Sequence, residues 1–262
     1  MSLNLDLTGR VAVVTGGTRG VGAGIARAFL QAGAEVVVCA RRPPDTPVVT
    51  DGRTARYHLL DLREPDGVRE FLQAVATDHG RLDCLVNNAG GTPYRLLNET
   101  AAQRHARVVE LNLIVPMTAS LAAYEVMRGQ PDGGSVIMIG SVSGTRPSPG
   151  TAAYGAAKAG LDNLARSMAV EWAPHVRVNT VVLGMVRTEL TALHYGDEDG
   201  VAAVGATVPL GRLAEPAEIG DACVFLASGR AGYVSGASLL VHGGGERPAF
   251  LDAATVNHPK ES

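Results

Sequence analysis

Charge of either sign is scarce in this sequence, and it is nearly balanced. Lys and Arg number 23 and Asp and Glu 26, a formal net charge of −3 over 262 residues. That balance gives no electrostatic basis for a nucleic acid or an acidic membrane as partner. Cysteine is rarer still. Cys39, Cys84 and Cys223 are an odd number, far apart, each inside an apolar run ("VVVCA", "DCLVN", "ACVFLA"). The pattern reads as small buried hydrophobes in a reducing compartment, not as a disulfide framework. Neither C-x-x-C nor H-x-x-x-H occurs among the cysteines and the seven histidines, so no metal site is expected. The opening "MSLNLDLTGR" lacks the basic-then-apolar order of a secretion signal, and no apolar run reads as long enough to span a membrane. The expectation is a soluble cytoplasmic protein.

What the sequence does have is apolar residues, 46% of the total, in short runs separated by helical patterns. Strands are expected at 10–16, 34–40, 55–62, 82–90, 134–141, 176–184 and 237–244. Helices are expected at 22–33, 64–80, 98 to about 128 with a break near Pro116, 150–173 and 215–228. Continuous apolar strands alternating with helices predict an α/β fold. It is a single Rossmann-type, doubly wound, seven-stranded parallel sheet with helices on both faces. Its ligands then bind beyond the carboxyl ends of the strands. Nothing splits the chain, so one catalytic domain over 1–262 is expected, with a core at about 7–245. Residues 186–212 lack a clear period and read as a mobile lid; 246–262 read as a polar surface tail.

The first strand runs into "TGGTRGVG". Gly16, Gly20 and Gly22 let the backbone turn sharply, come close to a pyrophosphate, and aim a helix N-terminus at it. Thr18, Arg19 and Val21 complete that turn. The next strand ends Ala40-Arg41-Arg42, where an acid would accept hydrogen bonds from the 2′-hydroxyl of NAD(H). Guanidinium groups there attract a 2′-phosphate instead, so NADP(H) is favoured, with NAD(H) left open.

In "TAAYGAAKAG", Tyr154 and Lys158 are four residues apart and share one helical face. A phenol is a weak acid at neutral pH, and a nearby ammonium is expected to lower its pKa. It could then exchange a proton with a ketone or alcohol oxygen. Ser141, at the end of the fifth strand, could hydrogen-bond that oxygen, with Ser143 a nearby competitor.

The segments "TGGTRGVG", "NNAG" (87–90), "ELN" (110–112), "GSVSG" (140–144) and "YGAAK" (154–158) resemble, in order and spacing, the short-chain dehydrogenase/reductase superfamily, over about residues 7–245. The general look is that of its 3-oxoacyl-carrier-protein reductase branch. The resemblance implies that Tyr154 is the general acid/base, that Lys158 lowers its pKa and holds the nicotinamide ribose, and that Ser141 orients the substrate oxygen. It implies that Asn112 holds a water linking the lysine to solvent, and that Asn88, Ala89 and Gly90 pass beside the adenosine ribose. Asp61 and Leu62 are implied at the adenine, Arg41 at the 2′-phosphate, and Gly184, Val186 and Thr188 at the carboxamide and phosphates. Leu183 stands where relatives carry proline, and Val170 where carrier-protein reductases often carry arginine.

The substrate is expected to be a small carbonyl compound or alcohol. The pocket should come from 91–97, 142–150 and 186–212. Family resemblance also implies a homotetramer or homodimer paired through the long helices, and the 246–262 tail could reach a neighbour's pocket. The competing reading is a catalytically idle nucleotide sensor or scaffold, disfavoured because tyrosine, lysine and serine are all retained.

Overall fold

The computed structural model describes residues 5–254. Seven strands form one parallel sheet: β1 (Val11–Thr15), β2 (Glu35–Ala40), β3 (Arg56–Leu59), β4 (Cys84–Asn87), β5 (Gly134–Ser141), β6 (Val176–Leu183) and β7 (Ser238–Val241), in spatial order 3-2-1-4-5-6-7. The expected fold is therefore observed. The strands fall inside the expected segments. They are shorter because flanking residues turn away from the ladder into loops that carry the site.

Alternation along each strand builds two apolar layers. Ala12, Val14, Val36, Val38, Ile137 and Val181 face one core, packed by α1 (Gly20–Gln31) and, after the sixth strand, by the helix Pro216–Ala227. Val11, Val13, Val37, Leu85, Val136 and Val178 face the other, packed by α2 (Pro65–His79), α3 (Ala102–Met127) and α4 (Ala152–Glu171). Both faces of the sheet are covered, which is why its strands read as unbroken apolar runs. The strand order reverses at β1, between β2 and β4. Loops part there beyond the carboxyl ends and leave a crevice.

The expected break in the third long helix is a single wide turn at Glu110–Ile114, where the Val115 N–H reaches the Glu110 carbonyl. Pro116 follows directly and has no N–H for the carbonyl four residues back, that of Asn112. By length and composition alone the helix Ala102–Met127 could cross a membrane, its most apolar 18-residue window having a mean hydropathy of 1.3. Its inner side (Val115, Ala119, Ala123, Met127) lies in the second core, so its apolar content has a packing role here.

Residues 186–212 also depart from expectation. They are not an aperiodic lid but contain α5 (Ala192–Tyr195) and α6 (Glu198–Thr207). The Asp197 side chain caps α6 by accepting from the Gly200 N–H. The segment is fastened at its end where Arg212 grips Glu218 through two bonds of 2.7 Å at the start of α7 (Pro216–Ala227). Arg212 lowers the Glu218 carboxyl to about 2. The described part of the expected tail is not all loose surface: it ends in α8 (Ala249–Ala253). Residues 255–262 lie outside the described residues.

All three cysteines are free and buried. Burial pushes the Cys39 thiol up to about 12 and raises Cys84 and Cys223 as well, which leaves them unreactive at neutral pH.

Candidate active site

Three of the expected site residues meet at the carboxyl end of β5. Ser141 is its last residue. The following short turn, Val142–Gly144, folds back so that the Ser143 N–H donates to Ser141 Oγ at 3.2 Å. Ser141 also lies near enough to the phenol of Tyr154, in the first turn of α4, to pull its pKa down. Ser143 thus braces Ser141 through its backbone N–H. Lys158, one turn along α4, is 5% exposed and donates from Nζ to the Ile139 carbonyl at 2.7 Å.

The expected acidification of Tyr154 by Lys158 is not found. Burial raises the phenol above its ordinary value, and Ser141 offsets part of that. The reason is where the ammonium lies. Nζ is 5.5 Å from the centre of the tyrosine ring and its hydrogen bond goes to backbone. Lys158 is itself the more perturbed group, its ammonium pulled by burial from 10.5 to about 8.

Asn112 is fully buried in the wide turn of α3. Its side chain is a clamp. Oδ1 accepts from the Gly91 N–H at 3.0 Å, and Nδ2 donates to the Gly91 carbonyl at 3.0 Å and to Val108 at 2.9 Å. The amide therefore has little capacity left for the water that the resemblance implied. Gly90 lies between the two functional side chains: a Cβ there would stand 2.6 Å from Asn112 Oδ1 and 3.5 Å from Lys158 Nζ.

The glycine turn is built as expected. Gly16 takes φ +63° and packs against Ala89, and Gly22 has no room for a side chain, since a Cβ would lie 2.3 Å from the Gly16 carbonyl oxygen. Asn88 and Ala89 stitch this turn to β4. Both backbone N–H groups donate to Thr15 Oγ1 at 3.0 Å, and Asn88 Nδ2 donates to the Thr15 carbonyl at 2.9 Å. The turn ends at Arg19, whose side chain does not cap α1, so the first N–H groups of that helix face the crevice. Thr18, Arg19 and Gly20 line a cavity of about 610 Å³ there, opposite Thr188. Val21 is half-buried against the first core.

At the far side of β2, Arg41 and Arg42 are exposed. The two residues implied at the adenine are both already engaged. The Asp61 carboxylate is held by Arg63, at 2.6 Å and 3.1 Å, which keeps it below the usual range with a smaller contribution from Arg41. Leu62 turns its side chain into the second core, leaving only its backbone for a ligand. Beyond β6, Gly184 fits against His242, where a Cβ would come within 2.8 Å. Val186 pairs with Ala214, and Thr188 receives the Leu190 N–H on its hydroxyl at 3.2 Å.

A second cavity, of about 480 Å³, opens where β5, β6 and β7 end. Val142, Gly184 and Met185 line one part of it; Arg146, His242, Glu246 and Arg247 line another. Sequence reasoning named the 142–150 and 186–212 stretches but not the last three residues, which it had placed in the final strand or a tail that might serve a neighbour. In this chain the tail returns to its own cavity. Only the pairing of Arg146 with Glu246, at 2.6 Å, shows this, and no local pattern encodes it.

A doubly wound sheet with a glycine turn at its reversal point and a Ser–Tyr–Lys cluster beyond β5 defines a nucleotide-fold oxidoreductase. The profile of the enoyl-(acyl carrier protein) reductase family matches residues 16–246. The chain is 38% identical over 243 residues to the 3-oxoacyl-[acyl-carrier-protein] reductase of Vibrio cholerae, covering 92% of this chain and 98% of that one. It is 37% identical to the L-fucose dehydrogenase of Oryctolagus cuniculus, over 94% of this chain and 88% of the relative. The ligand-free aldohexose dehydrogenase of Thermoplasma acidophilum superposes with a TM-score of 0.85 at 27% identity, covering 97% and 98% of the two chains. The chain belongs to the short-chain dehydrogenase/reductase superfamily, in its 3-oxoacyl-carrier-protein reductase-like branch, and is an oxidoreductase acting on CH–OH or C=O groups.

Proposed function

We propose that this protein is an NADP(H)-dependent enzyme that interconverts a ketone and a secondary alcohol, with Tyr154 as general acid/base. The observation that carries the reading is the meeting of Ser141, Tyr154 and Lys158 at one strand end, beside the glycine turn. Two features fit a dinucleotide. The Gly16–Gly22 approach brings backbone to the crevice, and Gly90 leaves Lys158 Nζ without a side chain in front of it.

Gly16, Thr18, Arg19, Gly20 and Val21 would hold the pyrophosphate, and Arg41 with Arg42 the 2′-phosphate. Asp61, after release from Arg63, and the Leu62 backbone would meet the adenine. Asn88, Ala89 and Gly90 would pass the adenosine ribose, with Gly184, Val186 and Thr188 at the carboxamide end. When bound, the nicotinamide supplies or accepts the hydride.

The chain's residues handle the proton. Ser141 Oγ, fixed by the Ser143 N–H, donates to the substrate oxygen and so aligns it with Tyr154. Tyr154 Oη gives its proton to that oxygen in reduction and takes it back in oxidation. The Lys158 ammonium stands 5.5 Å from the ring centre, and once drawn from the Ile139 carbonyl by a bound cofactor it would stabilise the phenolate that results. Proton return runs from Lys158 toward the Asn112 backbone carbonyl, which Pro116 leaves without an N–H from that position.

Val170 on α4, 81% exposed, and Leu121 on α3, 50% exposed, support a homo-oligomer paired through these helices. The cytoplasm is the compartment this reading assigns.

Steady-state kinetics with NADPH and NADH over a ketone panel test the proposal. NADPH is preferred, Tyr154→Phe loses about 10²-fold or more in kcat, and Arg41→Ala raises the KM for NADPH more than for NADH. Cofactor binding by fluorescence without turnover of any ketone or alcohol would select the nucleotide-sensor reading instead.

A further inference from the structure

The second cavity contains an ion pair, Arg146 with Glu246. It is lined by two guanidinium groups, Arg146 and Arg247, by the imidazole of His242, and by one carboxylate, Glu246. Val142, the residue after Ser141, is part of its lining, which places it on the same side of the sheet end as the reacting cluster. Resting on the oxidoreductase reading above, we propose that the substrate is an oxo acid or hydroxy acid whose carboxylate is bound by Arg146.

The geometry of Arg146 supports this. Its Nη1 donates to the neighbouring Pro147 carbonyl at 3.1 Å, which fixes the guanidinium plane locally. Its Nη2 faces the cavity and meets Glu246 at 2.6 Å. The pair is 40% and 39% exposed, so an incoming anion can reach it. A substrate carboxylate that takes the place of the Glu246 carboxylate exchanges like for like. The guanidinium gains no new desolvation cost, and a planar fork suits either partner. The cavity, at about 480 Å³, is in the range of small-ligand sites.

Two segments thus converge on one exchangeable ion pair: the loop after the serine and the chain after β7. Glu246 acts as the resident anion that the substrate displaces. The bland reading is a clasp that only fastens the C-terminal segment, and it makes a different prediction.

The test compares acetoacetate, levulinate and 5-oxohexanoate with their ethyl esters, which keep the ketone and lose the charge. The wild type favours the acid for at least one chain length. Arg146→Met lowers the acid-to-ester ratio in kcat/KM about tenfold or more, the loss expected for a charged hydrogen bond. Glu246→Gln raises the same ratio. Equal losses for acid and ester in Arg146→Met, or an ester preference in the wild type, overturn the proposal and leave the enzyme reading intact. A readout free of turnover is isothermal titration of each oxo acid into NADP⁺-loaded Tyr154→Phe protein. Binding of the best acid that is about tenfold weaker in the Arg146→Met/Tyr154→Phe variant supports the site; no binding, or equal binding, sinks it. Absence of turnover for every acid and ester, with binding retained, sinks the enzyme reading alone.

Discussion

The buried ammonium of Lys158 makes a prediction about stability that needs no substrate. Its value falls from 10.5 to about 8 because burial disfavours the charged form. Below pH 8 the lysine is protonated in both folded and unfolded chains, and the folded protein bears the full cost of burying the charge. As pH rises past 8 the folded state releases its proton first, and the cost is progressively relieved. Relief is complete above 10.5, where the unfolded chain has lost its proton too. The whole difference is about 3 kcal/mol, and the portion recovered between pH 7 and pH 9 is about 1.3 kcal/mol. Lys158→Met keeps the volume and removes the titration. Urea unfolding of both proteins at the two pH values isolates the effect, since other groups cancel in the double difference. The wild type should gain about 1.3 kcal/mol relative to the variant on going to pH 9, or about 2 °C in Tm for a chain of this size. Parallel pH profiles, or a relative loss, would refute the placement of a buried charge at this position.

Two further outcomes follow from the same geometry. Gly22→Ala places a Cβ 2.3 Å from the Gly16 carbonyl and 2.5 Å from Asn88 Nδ2, so the turn must open. The cost is about 1–3 kcal/mol, with cofactor affinity by fluorescence titration falling about tenfold or more; Gly229→Ala, which meets nothing within 4 Å, serves as the control. Asn112→Ala removes both bonds that hold Gly91 and should destabilise by about 1–3 kcal/mol in thermal unfolding, with kcat falling more than KM changes; wild-type stability in that variant would show that the clamp holds nothing.

The sheet was legible because its signals are local. Unbroken runs such as "VAVVT" can only be strands with both faces covered, and the glycine turn announces its own backbone. Tyr154, Lys158 and Ser141 were legible too, through helical spacing and a strand end. What escaped depends on contacts between distant segments. The Lys158 ammonium was expected beside the phenolic oxygen, but the Ile139 carbonyl on β5 competes for it. Asp61 was placed at the adenine by resemblance, and its pairing with Arg63, two residues on, was not foreseen. The return of Glu246 to Arg146 spans most of the distance from β5 to the end of the chain, and composition alone made that tail look like surface. Residues 186–212 lack amphipathic period because α5 and α6 are short, and α6 buries only Val201 and Gly205.

A common physical reason links these positions. The groups available to a ligand are also the ones that hold strand ends together. Asn88 ties the glycine turn to β4, Asn112 ties α3 to the loop after β4, and Lys158 ties α4 to β5. Gly90 is the point where two of these ties approach, since any side chain there would strike Asn112 and crowd Lys158. Each tie satisfies a backbone group that the end of a parallel strand would otherwise leave unpaired. A ligand bound in the crevice therefore reports on the joints of the sheet itself. Loss of activity at Asn88 or Asn112 has to be read beside the unfolding free energy of the same variant, while loss at Tyr154 is chemical to the extent that the neighbour acting on its phenol, Ser141, is itself another group of the proposed reaction.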